Sequence, residues 1–312
     1  MKPDISVIIP FLNEAENIEN LVHSLNNYFA EATYKTEILF VNDGSTDDSL
    51  VRLRNQKHVN YQCKIISLSK NYGSHAALRA GIYESGGNYT TFMYADLQDP
   101  LNLINLLKAK IEEGNDIVWA HRNSTKVSFS EKTFSLFYSY MMKKFALPNY
   151  PEKGFDVVMF NRKIANELNK NIEKNSSIFL QILGMGFIQS SISYNKNPRN
   201  AGKSKWTLSK KIKLFIDSFI AFSFAPIRFV TLVGIALFFL GILWTTYIGL
   251  RAVFFRDLNQ GWPSLIAILT IGFGITNISL GIIAEYLWRT LDSSRNRPVY
   301  IVNEIIELKN EP

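Results

Sequence analysis

Residues 90–100 read T-T-F-M-Y-A-D-L-Q-D-P and join an apolar run to a polar corner. The run Thr90–Tyr94 predicts a β-strand, and side-chain alternation directs Asp96 and Gln98 to one side if the backbone stays extended. Two oxygen-bearing side chains at this spacing suit a hard divalent cation that carries substrate phosphates. Asp99 precedes Pro100 and a helical run, so for this residue capping of that helix is the alternative to a functional role.

The same arrangement of strand, polar corner and helix recurs through the first half of the chain. Strands are predicted at 5–10, 37–42, 64–68 and 88–94, each followed by a helical pattern. This alternation predicts an α/β domain with a mostly parallel sheet. Ligands of such sheets bind beyond the carboxyl ends of the strands. The corners Asn42–Ser45, Ser69–Gly73 and Asp96–Asp99 are therefore expected to converge on one cleft.

Two of the predicted helices carry start signals. Asn13 with Glu16 has the spacing of a capping box, and so does Ser45 with Asp48. These assignments compete with a binding role for the same residues, because both lie at strand ends.

Several classes of site are excluded by what the sequence lacks. The chain contains neither G-x-G-x-x-G nor G-x-x-x-x-G-K-S/T, so the dinucleotide fingerprint and the P-loop are both missing. The one cysteine, Cys63, excludes an internal disulfide and a cysteine metal cage. The four histidines are too scattered for a zinc site; His75 and His121 remain weak candidates for a place near the cleft.

The last third of the chain is strongly apolar and predicts a membrane anchor. Two stretches, 226–250 and 264–287, are long enough to cross a bilayer as helices. Basic residues gather just before the first stretch and just after the second, so the net charge of +7 is assigned to a membrane surface and not to nucleic acid. The positive-inside rule places both flanks in the cytoplasm. The chain opens on a strand-like run, which argues against a cleavable signal peptide.

These patterns predict four segments. A catalytic domain at 1–206 precedes an amphipathic interface helix at 207–225, two transmembrane helices with a short loop at 226–288, and a cytoplasmic tail at 289–312. Val299–Ile306 is expected to return to the first domain in an extended conformation.

Four motifs, in this order, carry a family resemblance: P-F-L-N-E-A-E-N-I, V-N-D-G-S-T-D, K-N-Y-G-S-H-A-A-L-R-A-G and A-D-L-Q-D-P. Together they resemble the GT-A glycosyltransferases of family 2. More narrowly, they are similar to the polyprenyl-phosphate glycosyltransferases, which include dolichol-phosphate mannose synthases and bactoprenol glucosyltransferases.

The resemblance implies a donor site and a metal site. Asp96 matches the metal-binding aspartate and Gln98 the glutamine that follows it, with Mg²⁺ or Mn²⁺ as the cation. The commoner motif reads D-A-D-L-Q, and its first aspartate is Tyr94 here. A phenol cannot replace a carboxylate as a ligand of a hard cation at neutral pH. The implied contacts of the nucleotide-sugar are Pro10, Asn13, Glu14, Asp43, Lys70, Asn71 and Gly73.

The resemblance also implies an acceptor site. Asp156 matches the acceptor-side aspartate, in an apolar setting that favours either a catalytic role or a salt bridge with Arg162 or Lys153. It would act as general base, or orient an acceptor that is already ionised. Arg122 is either a phosphate contact or a solvated surface arginine. The segment matching R-x-x-G-x-S-K-Y/W would grip the acceptor phosphate, or press on anionic headgroups, through Arg199, Lys203, Ser204 and Lys205.

The function implied is an inverting hexosyltransferase of the bacterial plasma membrane. It would move a hexose, glucose above all, from a UDP-sugar to undecaprenyl phosphate for modification of envelope glycans, and paired spans make a homo-oligomer plausible. A different donor is one alternative. Another is a catalytically weak protein that binds lipid phosphate and recruits a flippase or a second transferase. A processive synthase is disfavoured because Q-x-x-R-W is absent.

Overall fold

The structure is a computed structural model, and the description covers residues 2–123, 129–151, 154–171, 177–197, 223, 225–255, 261–295 and 298–308. These residues fall into two compact units. The first lies within 1–218 and 298–312, and the second within 219–297.

The first unit is an α/β domain around one sheet. Its elements are β1 (Ile5–Phe11), α1 (Ile18–Ala30), β2 (Thr36–Asn42), α2 (Ser49–Asn55), β3 (Gln62–Leu68), α3 (Ser74–Glu84), β4 (Tyr89–Phe92), α4 (Leu103–Glu112), β5 (Ile117–Arg122), α5 (Phe129–Phe145), β6 (Val157–Asn161), α6 (Arg162–Lys170), α7 (Ile178–Gly184), β7 (Gln189–Tyr194) and β8 (Val302–Leu308). The second unit contributes α8 (Ala225–Phe255) and α9 (Trp262–Ser294).

The eight strands lie in the order β7-β5-β6-β4-β1-β2-β3-β8. The pairs β1–β2, β1–β4, β2–β3 and β5–β7 are parallel, and the three pairs made by β6 and β8 are antiparallel. The predicted α/β domain with a mostly parallel sheet is confirmed. Because β6 runs against its neighbours, its first residues lie at the edge where β4 and β5 end.

The central strands explain the stability of the domain. Every residue of β1 and β2 is buried, as expected where helices cover both faces of a parallel sheet. Helix α1 buries one stripe made by Ile18, Leu21, Val22, Leu25 and Phe29 against this sheet. Burial of each large apolar side chain in this layer stabilises the fold by about 1.5–3 kcal/mol.

Two of the predicted helix starts are wrong. Helix α1 begins at Ile18 with Asn17 in the N-cap position, four residues after Asn13. Helix α2 begins at Ser49, four residues after Ser45. In both cases the polar residue at the strand end binds the neighbouring strand end instead of its own helix, so a tertiary contact overrides the local signal.

The strand and helix around residues 90–100 also differ from the prediction. Strand β4 ends at Phe92, two residues before the predicted end, and α4 begins at Leu103 with Asn102 at its N-cap. Asp99 therefore does not cap the helix; it is buried and turned towards β7.

The C-terminal strand returns to the first unit as predicted. Strand β8 pairs antiparallel with β3, with Cys63 opposite Leu308 and Leu68 opposite Val302. It becomes the outer strand on that side of the sheet. Ion pairs of Arg54 with Glu304 and of Lys64 with Glu307 support it.

The second unit is a pair of long helices in contact with each other. Helix α8 has 31 residues and α9 has 33. Large apolar side chains such as Phe229, Leu243, Phe254 and Phe273 are 67–73% exposed. Among the described residues, one helical stretch, Ile271–Trp288, is long and apolar enough to cross a membrane, and a shorter apolar stretch covers Arg228–Leu237. The predicted two spans are therefore supported for one helix and not confirmed for the pair. The predicted interface helix lies almost wholly outside the described residues.

Candidate active site

The first group of predicted site residues is built around Asp43, at the end of β2. Its two carboxylate oxygens accept the backbone N–H groups of Tyr72 and Gly73, at 2.8 and 3.0 Å. Burial raises the pKa of Asp43, while these two hydrogen bonds act in the opposite direction. Asp43 thus fixes the loop Lys70–Gly73, so two of the three predicted corners do converge.

Gly44 makes this approach possible. Its φ is +72°, and a Cβ at this position would lie 2.4 Å from the carbonyl carbon of Lys70. Any side chain here would push the Lys70–Gly73 loop away from Asp43. The Lys70 side chain is exposed, with its ammonium 5.2 Å from the centre of the Tyr72 ring.

The end of β1 joins the same group through Asn13. Its backbone, at φ 50°, donates to Ser45 Oγ at 3.0 Å, and its Oδ1 accepts the Thr46 N–H at 2.8 Å. The backbone N–H of Glu14 donates to Ser49 Oγ at 2.8 Å. Pro10 is buried within β1. The predicted donor residues therefore lie together at the ends of β1, β2 and β3, where Pro10 and Asp43 are buried and the others are partly or fully exposed.

The second group centres on Asp156, just before β6. Arg122, the last residue of β5, holds this carboxylate with two hydrogen bonds: Nε to Oδ2 at 2.9 Å and Nη2 to Oδ1 at 2.5 Å. The Asp156 side chain is 13% exposed and that of Arg122 is 39% exposed. The interaction with Asp156 raises the pKa of Arg122. The salt bridge expected for Asp156 exists, but its partner is Arg122 and not Arg162.

Arg162 lies at the opposite end of the strands, where it contacts the backbone just before β4. Its guanidinium donates to the backbone oxygens of Ser85 and Gly87. The other predicted partner, Lys153, lies outside the described residues.

A buried carboxylate, Asp99, links the corner after β4 to the end of β7. Its Oδ1 accepts the Tyr194 hydroxyl at 2.5 Å and lies 3.3 Å from Lys196 Nζ. The backbone N–H of Asn197 donates to Gln98 O at 2.8 Å. Tyr194 and Lys196 were not predicted as site residues. The signal was available, because they form a further polar corner at the carboxyl end of a strand.

Tyr94 lies among the carboxylates of this second group. Burial raises the pKa of its phenol, and the negative charges of Asp99, Asp156 and Asp96 raise it further. Tyr94 therefore keeps its proton at neutral pH and can donate a hydrogen bond, but it cannot serve as an anionic ligand.

The predicted metal ligands are Asp96 and Gln98, in the corner after β4. Asp96 is partly exposed, and its Oδ1 accepts the Gln98 N–H at 3.3 Å. No group of three or more Asp, Glu, His or Cys residues that could hold a metal occurs in the part of the chain that the structure describes. Mg²⁺ commonly takes one or two carboxylates and completes its octahedron with substrate phosphates and water. The side chains of Asp96 and Gln98 carry the oxygen atoms that such a cation prefers, and both are partly exposed.

His75 does not belong to either group. Burial, with a contribution from Arg79, lowers the pKa of its imidazole to about 4, so the ring is neutral at pH 7. The ring contacts Phe179 edge-on, with the centroids 5.9 Å apart. Its Nδ1 is buried at the start of α3 without a hydrogen-bond partner among the described residues.

The family model for "Glycosyl transferase family 2" matches residues 6–169, about half of the chain, from the second residue of β1 to the end region of α6. The chain belongs to glycosyl transferase family 2. This makes it an enzyme of the glycosyltransferase class and agrees with the GT-A-like α/β domain expected from the motifs.

Curated family 2 proteins are similar to it along nearly its whole length. The "Uncharacterized glycosyltransferase YkcC" of Bacillus subtilis (strain 168) is 32% identical over 98% of this chain and 95% of its own length. The "Undecaprenyl-phosphate 4-deoxy-4-formamido-L-arabinose transferase" of Proteus mirabilis (strain HI4320) is 29% identical over 98% and 94%. The "Prophage bactoprenol glucosyl transferase homolog" of Escherichia coli (strain K12) is 29% identical over 96% and 99%. The resemblance to the polyprenyl-phosphate type of family 2 is confirmed by these relatives.

Among solved structures, the mannosyltransferase PcManGT of Pyrobaculum calidifontis, described in complex with GDP-Man and Mn²⁺, is similar to this family 2 chain. It has a TM-score of 0.46 and 16% identity, over 90% of this chain and 88% of that one.

The predicted site residues of this family 2 chain thus fall into three sets. The donor-side set around Asp43 and the set around Asp96, Arg122 and Asp156 both lie at the edge where the parallel strands end. The remaining set lies outside the described residues and consists of Arg199, Lys203, Ser204 and Lys205.

Proposed function

We propose that this family 2 enzyme transfers a hexose, glucose before other sugars, from a UDP-sugar to undecaprenyl phosphate at the cytoplasmic face of the bacterial plasma membrane. The observation that carries the proposal is the position of the Arg122–Asp156 pair beside the Asp96 corner, on the edge that also carries the Asp43 loop. The names of the relatives from Proteus and Escherichia support the acceptor class. The product would supply envelope glycan modification.

On the donor side, the nucleotide-sugar lies against the loop that Asp43 holds. Pro10, Asn13 and Glu14 would contact the nucleotide-sugar from the end of β1, and Lys70, Asn71 and Gly73 would contact it from the loop. A divalent cation, Mg²⁺ or Mn²⁺, would be held by Asp96 and Gln98 and would neutralise the charge that develops on the leaving diphosphate.

On the acceptor side, Arg122 binds the lipid phosphate. A guanidinium has five N–H groups, and the pair with Asp156 uses two of them, which leaves three for a second anion. Asp156 fixes the plane of the guanidinium and so orients the acceptor. The cationic residues Arg199, Lys203 and Lys205, with Ser204, would complete the grip on the phosphate.

The transfer is a single displacement. An oxygen of the lipid phosphate attacks the anomeric carbon while the bond from that carbon to the diphosphate oxygen breaks, and the nucleoside diphosphate leaves with the electron pair. The configuration at the anomeric carbon inverts, so an α-linked donor gives a β-linked lipid product. A phosphate acceptor is already ionised, so little proton transfer is needed, and the role of Asp156 is to orient Arg122 or to take a last proton.

Two membrane spans, α8 and α9, anchor the enzyme in this proposal. Strands β7 and β8 belong to the same sheet, and they precede and follow both helices in the chain. A sheet lies on one side of a membrane, so the chain between Tyr194 and Val302 must cross an even number of times. If Ile271–Trp288 crosses, a second crossing is required, and α8 is the other long helix with exposed apolar side chains. The basic flanks support a cytoplasmic position for the catalytic domain and the C-terminal tail.

The test uses membranes that contain the full chain, undecaprenyl phosphate and labelled UDP-sugars, with and without Mg²⁺ or Mn²⁺. Undecaprenol, which lacks the phosphate, is the matched acceptor control. We expect a lipid product heavier by one hexose, formed only with the phosphorylated acceptor and the cation. The donor that gives this product identifies the sugar, and a homo-oligomer would be detected by the mass of the purified enzyme.

One observation favours a second function, a catalytically weak protein that binds lipid phosphate for a flippase or another transferase. Tyr94 stands two residues before Asp96, where the commoner motif has an aspartate, and its phenol keeps its proton. Tight binding of undecaprenyl phosphate without any lipid-linked sugar, from every donor tested, would support this function and refute transfer.

A further inference from the structure

Asp99 is a charged side chain in a place that stability alone does not explain. Its carboxylate is 1% exposed, and Oδ2 is buried without a hydrogen-bond partner among the described residues. A buried charge is costly, and packed apolar residues of similar volume are often at least as stable as a buried ion pair. Asp99 does not cap α4 either, because this helix begins at Leu103.

The contacts of Asp99 join two strand ends. Tyr194 Oη donates to Asp99 Oδ1 at 2.5 Å, and Lys196 Nζ lies 3.3 Å from the same oxygen. Asn197 N donates to Gln98 O at 2.8 Å. The corner that carries Asp96 is therefore attached to the end of β7 at three points.

The end of β7 is in turn fixed to the residue that holds Asp156. Tyr194 is the register partner of Arg122 in the parallel pair β5–β7, and Asn123 N donates to Tyr194 O at 2.9 Å. A continuous series of short contacts thus runs from Asp96 and Gln98, through Asp99 and Tyr194, to Arg122 and Asp156.

We propose that Asp99, Tyr194 and Lys196 are positioning residues that hold the donor-side corner at a fixed distance from the acceptor-side pair Arg122–Asp156. We call these three residues the Asp99 clasp. The proposal rests on the proposed function, since it assigns the cation and diphosphate to Asp96 and the lipid phosphate to Arg122. The clasp touches neither substrate and acts through the residues that do.

The reason such a device matters is geometric. The acceptor oxygen and the anomeric carbon react when they lie about 3–3.5 Å apart and in line with the leaving group, and a displacement of about 1 Å costs about 100-fold in rate. Each substrate can still bind its own side after the clasp is broken. The loss is therefore expected in turnover and not in binding of either substrate.

The experiment breaks the clasp at its two outer members with Tyr194→Phe and Lys196→Met. Each has a matched control in the same unit. Tyr61→Phe removes a buried hydroxyl that bonds His58 Nδ1 at 3.0 Å, and Lys64→Met removes a lysine whose side chain is 20% exposed, against 19% for Lys196. For each full-length variant, calorimetry with UDP and Mg²⁺ gives the number of binding sites and the Kd, and product formation gives kcat and the KM for undecaprenyl phosphate.

We expect Tyr194→Phe and Lys196→Met to keep one UDP site per chain, with the Kd and the lipid KM within about twofold, while kcat falls about 10- to 100-fold. Lys196→Arg, which retains the charge, should recover most of the lost turnover. The control variants should keep kcat within about twofold of the unmodified enzyme.

Two results would refute the positioning role of the clasp and leave the proposed function standing. Unchanged kcat in both variants would show that the contacts do not position the site. A parallel fall in UDP sites and kcat would show that they only stabilise the fold. An unmodified enzyme that binds UDP but forms no lipid-linked sugar would instead refute the proposed function, and the role of the clasp with it.

Discussion

Removal of either partner from the Arg122–Asp156 pair should destabilise the fold, and we expect the loss of stability to be larger when Arg122 is replaced than when Asp156 is. Arg122→Met leaves the Asp156 carboxylate, 13% exposed, without its cation, so the cost approaches the lower limit for breaking a buried pair, about 3 kcal/mol. Asp156→Asn leaves Arg122, 39% exposed, where water can reach it, and the new amide oxygen can still accept one hydrogen bond. That cost is closer to an exposed pair, about 1 kcal/mol.

The double variant should cost about 2 kcal/mol, which is less than the sum of about 4 kcal/mol for the two single variants, because neither charge is then left without its partner. In a domain of this size 1 kcal/mol corresponds to about 2–4 °C in Tm. Arg122→Met should therefore lower Tm by about 6–12 °C and Asp156→Asn by about 2–4 °C. Differential scanning calorimetry of the full chain in detergent micelles measures both.

The control is Arg54→Met, which breaks the pair with Glu304, where both side chains are 37% exposed. Its cost should stay under about 1 kcal/mol. Equal losses for Arg122→Met and Asp156→Asn, or strictly additive losses in the double variant, would refute the reasoning that burial of Asp156 sets the asymmetry.

Three further outcomes are expected. Asp96→Asn should lower transfer by about 100-fold or more, since it removes the only charge assigned to the cation, while Tm and membrane insertion stay unchanged; wild-type turnover would contradict the metal assignment. The pKa of His75 is about 4 in the folded chain and about 6.5 in the unfolded chain. Between these values the unfolded chain binds a proton that the folded chain does not, so stability that is fully present above about pH 6.5 is lost as the pH falls towards about 4. The Tm of His75→Gln should decline less than that of the unmodified protein over this range, and parallel curves would exclude His75 as the cause. Truncation after Arg297 removes β8 and uncovers the edge of β3; we expect aggregation on size-exclusion chromatography and a lower Tm, and a monodisperse, equally stable product would show that β8 is dispensable.

The architecture was predictable because it depends on local patterns. Buried runs such as Ile5–Phe11, followed by polar corners, identify parallel strands and the edge where a ligand binds. Asp43 and the Lys70–Gly73 loop were assigned to that edge by this rule, and the structure joins them directly.

The partners within the site were not predictable, because they depend on topology. Asp156 meets Arg122 only because β6 runs antiparallel beside β5, and the direction of a strand is not written in its own residues. Asp99 and Asn13 have the local signature of helix caps, yet both are engaged by residues far along the chain, Tyr194 and Thr46. Long-range contacts replaced the local hydrogen bonds that the sequence pattern favours.

The position of β8 has a consequence for biosynthesis. Strand β3 ends at Leu68, but its antiparallel partner does not begin until Val302, after both long apolar helices. A ribosome makes the chain from the N-terminus, so the edge of β3 stays unpaired while α8 and α9 are synthesised. The sheet of the first unit is thus completed last, by the segment that emerges after α8 and α9. Completion of the glycosyltransferase domain therefore waits for synthesis of the two long apolar helices.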